Sequence, residues 1–180
     1  MTFSPVGNYS ARQLDHARAY RLLVHAEFEA FLEDRCRTVA NSALTQFCAD
    51  GKPKLVTLNL LSFHPAGEPG DSEMKQLVTS KTKHCFGAAT SSNTQYNRVL
   101  ATNHTVRESN VLRMLLPLGF DPADLDTTWV NSLDTFCTNR GEVAHTSIRT
   151  QQQIDPEGEM NTVLALLRGF ERLDRLIDNL

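Results

Sequence analysis

The chain has 180 residues, of which 41% are hydrophobic and 22% are charged, so it is large enough to bury the core of one domain spanning residues 1–180. Its formal net charge of −3 at pH 7 excludes a surface that coats nucleic acid indiscriminately, but it is compatible with one local basic site. The N-terminal sequence lacks the pattern of a signal peptide, and no apolar segment has the length that spans a bilayer. We therefore expect a soluble, cytoplasmic protein with no membrane partner.

The first predicted element is a long helix. Ser10 is a suitable N-cap, and the helix is expected to run to about Ala49, where the sequence Asp50-Gly51-Lys52-Pro53 ends it. Its periodicity predicts one buried face, formed by Ala17, Val24, Phe28, Phe31, Leu32 and Val39. Three polar side chains project toward that face or flank it: Arg21, His25 and Arg35.

The next segment gives weaker signals. Residues 54–63 are apolar, but the run is too short for its periodicity to distinguish a helix from a strand. A loop is predicted over 64–71 and a short helix over 72–79. Because residues 81–93 are rich in Ser, Thr, Gly and Lys, they are predicted to be irregular surface, with a modest helix following from 93 or 94 to 102.

The second half of the chain predicts three further helices. Residues 108–116 look helical, and a cap-then-proline pair at Asp121-Pro122 predicts the start of the helix that carries residues 127–147. The same pair recurs at Asp155-Pro156, before a strongly amphipathic segment over 160–180. The sequence as a whole predicts an all-α bundle of four or five main helices.

One of these helices has a charged residue in its apolar face. At 3.6 residues per turn, Arg140 falls at the centre of a stripe formed by Trp129, Leu133, Phe136, Cys137, Val143 and Ala144. A guanidinium there has to be paired, or has to line a cleft or an interface, because burying it alone is prohibitively costly. His145 follows five residues later, and histidine is the side-chain type best suited to proton transfer near neutral pH. The alternative is a structural ion pair between Arg140 and a first-helix carboxylate, such as Glu27, Glu29 or Asp34.

Three segments of the chain read, in order, AYRLLVHAEFEAFLED, SNVLRMLLPLGFDP and TWVNSLDTFCTNRGEVAHTS. Together they resemble HEPN domains, particularly the RiboL-PSP-HEPN branch and its neighbours. The resemblance implies a HEPN-like helical bundle with a variable insertion around 52–103, a homodimer, and the R-x(4–6)-H signature of metal-independent endoribonucleases. Arg140 and His145 occupy the two signature positions.

The signature region departs from the family pattern at two positions. Gly141 stands where many members have Asn, Asp or His, and Thr146 stands where glycine is frequent. Glu142 lies three residues before His145, close enough along a helix to orient its ring, although a solvated surface charge is the alternative. Thr146 is kept as a further supporting residue.

RNA cleavage by its own 2′-hydroxyl needs a base, stabilisation of the transition-state charge, and a proton for the leaving 5′-oxygen. Arg140 would contact the phosphate oxygens, and His145 would act as base or acid. Five residues of an ideal helix turn the chain by roughly 140°, so the long Arg140 stem, a looser turn at Gly141 or a second copy has to bring the two groups together. Arg21 and His25 could extend the phosphate-binding surface, with packing or ion pairing as the alternative.

Neither a cofactor nor a metal is expected. The candidate ligands His84, Cys85 and His104 lack repeated ligand spacing. The sequence contains neither a C-x-x-C pair nor a disulfide framework among its four cysteines, which are Cys36, Cys48, Cys85 and Cys137. We therefore expect reduced thiols and no cysteine nucleophile.

The resemblance implies an endoribonuclease that cleaves tRNA or mRNA in the composite cleft of a homodimer. It also implies a role as a toxin or antiphage effector, with an antitoxin or defence-system partner. Two alternatives are a catalytically silent HEPN-type module that binds RNA, nucleotide or protein, and a helical oligomerisation domain with Arg140 in an interchain ion pair. Loss of cleavage on His145→Ala would separate the nuclease from both.

Overall fold

The computed structural model describes residue 3 and residues 7–66, 81–145 and 154–180, with the backbone alone at 81–83 and 142–145. The described residues contain no strand, and they form six α-helices: α1 (Ala11–Asp50), α2 (Leu55–Phe63), α3 (Lys81–Ala101), α4 (Glu108–Leu115), α5 (Thr127–His145) and α6 (Pro156–Ile177). Single 3-10 turns lie at Leu116–Leu118 and Pro122–Asp124. The prediction of an all-α bundle is confirmed. None of these helices is long and apolar enough to cross a membrane.

Helix α1 is the central element and contacts each of the other five helices. Its start is a capping box, in which the Ser10 hydroxyl accepts a hydrogen bond from the Gln13 backbone N–H and the Gln13 side chain accepts one from the Ser10 N–H. Gly51 ends the helix in the left-handed conformation, with φ of 73°, and donates its N–H to the Phe47 carbonyl. Both predicted ends of the first helix are therefore confirmed.

The core lies along one face of α1. Ala17, Phe28 and Leu32 of the predicted face are buried, whereas Val24 and Val39 are half-buried and Phe31 is 37% exposed at the rim. The predicted face therefore included one residue, Phe31, that lies at its exposed rim. The side chains that complete it are smaller or aromatic and continue along the helix: Cys36, Ala40, Ala43 and Phe47.

Helices α5 and α6 pack closely around one aromatic cluster. The Phe170 ring lies 4.5 Å from that of Phe28 and 5.0 Å from that of Trp129, and the Trp129 indole N–H donates to the Leu166 carbonyl. A Cβ at Gly169 would lie 2.0 Å from the Trp129 ring, so the contact requires glycine. The α5 stripe is buried as predicted at its first four positions, and the side chains of Val143 and Ala144 lie outside the described residues.

Region 52–103 contains two helices. The undecided apolar run forms α2, and the prediction of irregular structure over 81–93 is wrong, because α3 covers that stretch. Its hydroxyl groups do not break the helix, since Thr90, Ser92 and Thr94 donate back to carbonyls four residues earlier. Tyr96 anchors α3 in the core, where its hydroxyl donates to a carbonyl of α4. The helix predicted over 72–79 lies outside the described residues.

The two proline-containing helix starts behave differently. Asp155 accepts backbone N–H groups of the first turn of α6, as predicted. Asp121 caps only the 3-10 turn that follows it, so the prediction that this pair begins the next α-helix is wrong. Helix α5 starts later, where the Asp126 carboxylate accepts the backbone N–H groups of Thr128 and Trp129. These bonds and the nearby Arg172 cation lower the pKa of Asp126.

Candidate functional site around Arg140

Arg140 lies near the end of α5, on the side that faces α1. Its side chain is half-buried, and its Nε is fully buried without a hydrogen-bond partner. The guanidinium charge adds to the burial that lowers the pKa of His25 and opposes the burial that raises the pKa of Glu29, which places it against that stretch of α1. No described carboxylate forms an ion pair with Arg140, so the salt bridge considered from the sequence is not seen among those side chains.

His25 lies beneath Arg140 and is 1% exposed. Its Nε2 lies 3.4 Å from the Thr105 hydroxyl, and its Nδ1 lies 3.8 Å from a Glu29 carboxylate oxygen, too far for a hydrogen bond. Burial first, and the Arg140 charge second, lower the pKa of His25 from 6.5 to about 4. The imidazole is therefore neutral at pH 7, and it borders the Arg140 site without reaching solvent.

The buried imidazole predicts a pH-dependent stability. Above pH 6.5 His25 is neutral in both the folded and the unfolded chain, whereas between pH 6.5 and 4 only the unfolded chain binds the proton. The free energy of unfolding should therefore fall by up to about 1.4 kcal/mol per pH unit as the pH drops through this window. We expect His25→Gln to lack this component in urea denaturation between pH 7 and 5.

The exposed His16 on the same helix provides the matched control. His16→Gln should keep the wild-type pH dependence. Parallel stability–pH curves for the wild type and His25→Gln would show that His25 titrates alike in the folded and unfolded chain, contrary to the burial argument.

Glu29 is half-buried between Arg140 and the α3–α4 loop. Burial and the neighbouring Glu33 raise the pKa of Glu29, and the positive charges of Arg140 and His104 oppose this shift. The sequence suggested Glu29 only as an ion-pair partner of Arg140, and it gave no indication of Thr105. The i, i+4 spacing of His25 and Glu29 was visible in the sequence, but nothing there indicated that the loop would lie beside them.

Arg21 has a structural partner. Its Nε donates to Glu159 Oε1 of α6 at 2.7 Å, and its Nη2 donates to the second oxygen of the same carboxylate. A further bond from Nη1 reaches the Asn139 carbonyl of α5 at 3.3 Å. Because every guanidinium nitrogen of Arg21 is engaged, the ion-pairing alternative describes it, and it does not offer a free phosphate-binding surface.

The second signature residue lies on the same helix as Arg140. Helix α5 continues through Gly141 to His145, so Gly141 does not interrupt the helix, and a Cβ there would meet nothing within 4 Å. The side chains of Glu142 and His145 lie outside the described residues, and so does Thr146. The structure therefore places Arg140 near His25, and it describes only the backbone of His145.

The described cysteines are free thiols. Burial raises the pKa of Cys36 to about 12 and also raises that of Cys137, so neither is poised as a thiolate. In the described part of the chain, no three His, Cys, Asp or Glu side chains are grouped so that they could hold a metal ion. Comparisons of the chain with protein-family models, with characterised proteins and with solved structures found no match.

Proposed function

We propose that the chain is a metal-independent endoribonuclease whose phosphate-binding residue is Arg140. The observation that carries the proposal is a half-buried arginine with no described ion-pair partner, on a helix that brings His145 five residues later. A structural arginine in such a position normally has a carboxylate partner, as Arg21 does in the neighbouring pair. The choice of RNA as the substrate, either tRNA or mRNA, rests on the R-x(4–6)-H spacing, which resembles that of HEPN domains.

The chemistry requires no group beyond side chains and the RNA itself. The substrate 2′-oxygen attacks the adjacent phosphorus, and His145 takes the proton from that hydroxyl. Arg140 donates two parallel hydrogen bonds to the phosphate oxygens as negative charge develops on them. The bond from phosphorus to the 5′-oxygen breaks, and the 5′-oxygen receives a proton from a general acid in the cleft. The products are a 2′,3′-cyclic phosphate and a free 5′-hydroxyl.

A second copy of the chain is part of this proposal. Helix α5 runs without interruption from Arg140 to His145, and five residues of an ideal helix turn the chain by about 140°, so the two positions do not share one face of the helix. Two-fold pairing would allow Arg140 of one copy to meet His145 of the other in one composite cleft. The proposed role is that of a toxin or antiphage effector, which requires an antitoxin or a defence-system partner to control it.

The test is cleavage of end-labelled total tRNA and of a model mRNA in EDTA. The wild type should cut and leave 2′,3′-cyclic phosphate ends, whereas His145→Ala should cut at least about 100-fold more slowly, because a proton-transfer group is lost. The exposed His16 supplies the control variant, and His16→Ala should cut at the wild-type rate.

Each of the other outcomes would favour a different catalytic group or a different function. Equal cleavage by the wild type and His145→Ala would place the activity at another group. Binding of RNA without cleavage would favour the catalytically silent binding module. Neither binding nor cleavage would favour the oligomerisation domain.

A further inference from the structure

The loop between α3 and α4 lies along the same face of α1 as Arg140. The Asn103 amide donates to the Glu33 carboxylate at 3.1 Å, and the Thr105 hydroxyl lies 3.4 Å from the His25 ring. His25, Glu29 and Glu33 occupy successive turns of one face of α1. Asn103 contacts the turn of Glu33, and Thr105 contacts the turn of His25. His104 stands between them in the chain, so it is held level with the turn of Glu29.

This loop is anchored on both sides of His104. The Asn110 amide donates to the Asn103 side-chain oxygen at 2.9 Å, and the next residue after Thr105, Val106, is fully buried. His104 itself is exposed, and its side chain forms no hydrogen bond with any described residue. An imidazole held by a fixed backbone at the edge of the site, with its ring free, is available to a substrate.

The proposed reaction has one proton transfer without an assigned side chain. Cleavage needs a base for the 2′-hydroxyl and an acid for the 5′-oxygen, and His145 supplies one of them. Arg140 cannot supply the other, because a guanidinium does not release its proton at any working pH. His25 cannot supply it either, because its ring is 1% exposed and cannot touch RNA.

Resting on the endoribonuclease function proposed above, we propose that His104 is the general acid that protonates the leaving 5′-oxygen. The 2′-oxygen forms its bond to phosphorus as His145 takes its proton, and the bond from phosphorus to the 5′-oxygen breaks as the His104 imidazolium gives up its proton. His104 ends neutral and His145 ends protonated, and exchange with water resets both.

Glu29 connects His104 to the phosphate-binding residue. Burial and Glu33 raise the pKa of this carboxyl, and the charges of Arg140 and His104 oppose that rise, so both side chains lie near Glu29. A phosphate bound at Arg140 would thus lie close to the loop that carries His104. Glu29 is then a positioning residue, because it acts on RNA only through Arg140 and His104.

A change of leaving group tests the acid role directly. The two substrates are the dinucleotide UpA, whose 5′-oxygen needs a proton, and uridine 3′-(4-nitrophenyl phosphate), whose nitrophenolate departs without one. His104→Ala should slow UpA cleavage by about 100-fold or more and should change nitrophenolate release by no more than a few-fold. His104→Gln should behave in the same way, because glutamine keeps the polarity of the side chain but carries no transferable proton.

Two controls separate this inference from the function on which it rests. Arg140→Ala should slow both reactions, since both pass through the same charged transition state, and His16→Ala should slow neither. Equal losses on the two substrates would make His104 a binding or structural residue, and no loss on either would exclude it from the site. If the wild type cleaves neither UpA nor larger RNA, the endoribonuclease function itself fails, and this inference fails with it.

Discussion

Replacing Arg140 by alanine should lower the rate of metal-free RNA cleavage by about 10²–10³-fold, as is typical when one preorganised donor to a developing oxyanion is removed. Alanine cannot donate to the phosphate oxygens, and the neighbouring Arg21 is committed to Glu159. Arg140→Lys should recover only part of the rate, because an ammonium keeps the charge but not the two-pronged geometry. The readout is the initial rate of 2′,3′-cyclic phosphate formation.

The matched control for this variant is Arg98, an exposed arginine in the last turn of α3. Arg98→Ala should cleave at the wild-type rate, and all variants should give the wild-type circular dichroism spectrum and elution volume. Retained cleavage in a folded Arg140→Ala protein would end the proposal that Arg140 binds the scissile phosphate. The same variant should also raise the pKa of His25, because it removes the nearby positive charge that helps to lower it.

The features that the sequence predicted well are local. Ser10 and Gln13 are three residues apart and form the capping box between themselves, and Gly51 ends α1 through a bond to a carbonyl four residues earlier. The position of Arg140 in an apolar stripe is also a local property, because it depends only on the periodicity of α5. These signals need no knowledge of the rest of the fold.

The surroundings of Arg140 could not be predicted because they depend on contacts distant in sequence. Thr105 lies 80 residues from His25, and Glu159 lies 138 residues from Arg21. No periodicity relates such positions, so the sequence left Arg21 undecided between phosphate binding and ion pairing. It also treated His104 only as a metal-ligand candidate, since nothing in the loop sequence showed that it would lie along α1.

The error over residues 81–93 has a different cause. Ser, Thr and Gly lower the helix propensity of this segment, and that composition suggested irregular structure. Tertiary packing overrides the propensity, because buried Ala89 and Tyr96 attach α3 to the core while the hydroxyl groups bond within the helix. A stretch poor in large apolar side chains is stabilised here by what it packs against.

The ion pair between Arg21 and Glu159 predicts the second large effect. Glu159→Ala should lower the free energy of unfolding by about 3–5 kcal/mol, because it leaves the guanidinium of Arg21 buried without its carboxylate. The two side chains are only 13% and 6% exposed, so water cannot replace the lost partner. The measurement is urea denaturation at pH 7, where the neutral His25 adds no pH-dependent term.

The exposed pair of Arg37 and Asp34 is the matched control, and Asp34→Ala should change the free energy of unfolding by no more than about 1 kcal/mol. The double variant Arg21→Met, Glu159→Leu should recover most of the loss, since it removes both buried charges and keeps their volume.

If Arg21 bound RNA instead, Arg21→Ala would reduce cleavage while leaving the unfolding curve unchanged. We expect instead that Arg21→Ala lowers the free energy of unfolding, because the contacts of Arg21 join α1, α5 and α6. These contacts also hold the turn of α5 that carries Arg140.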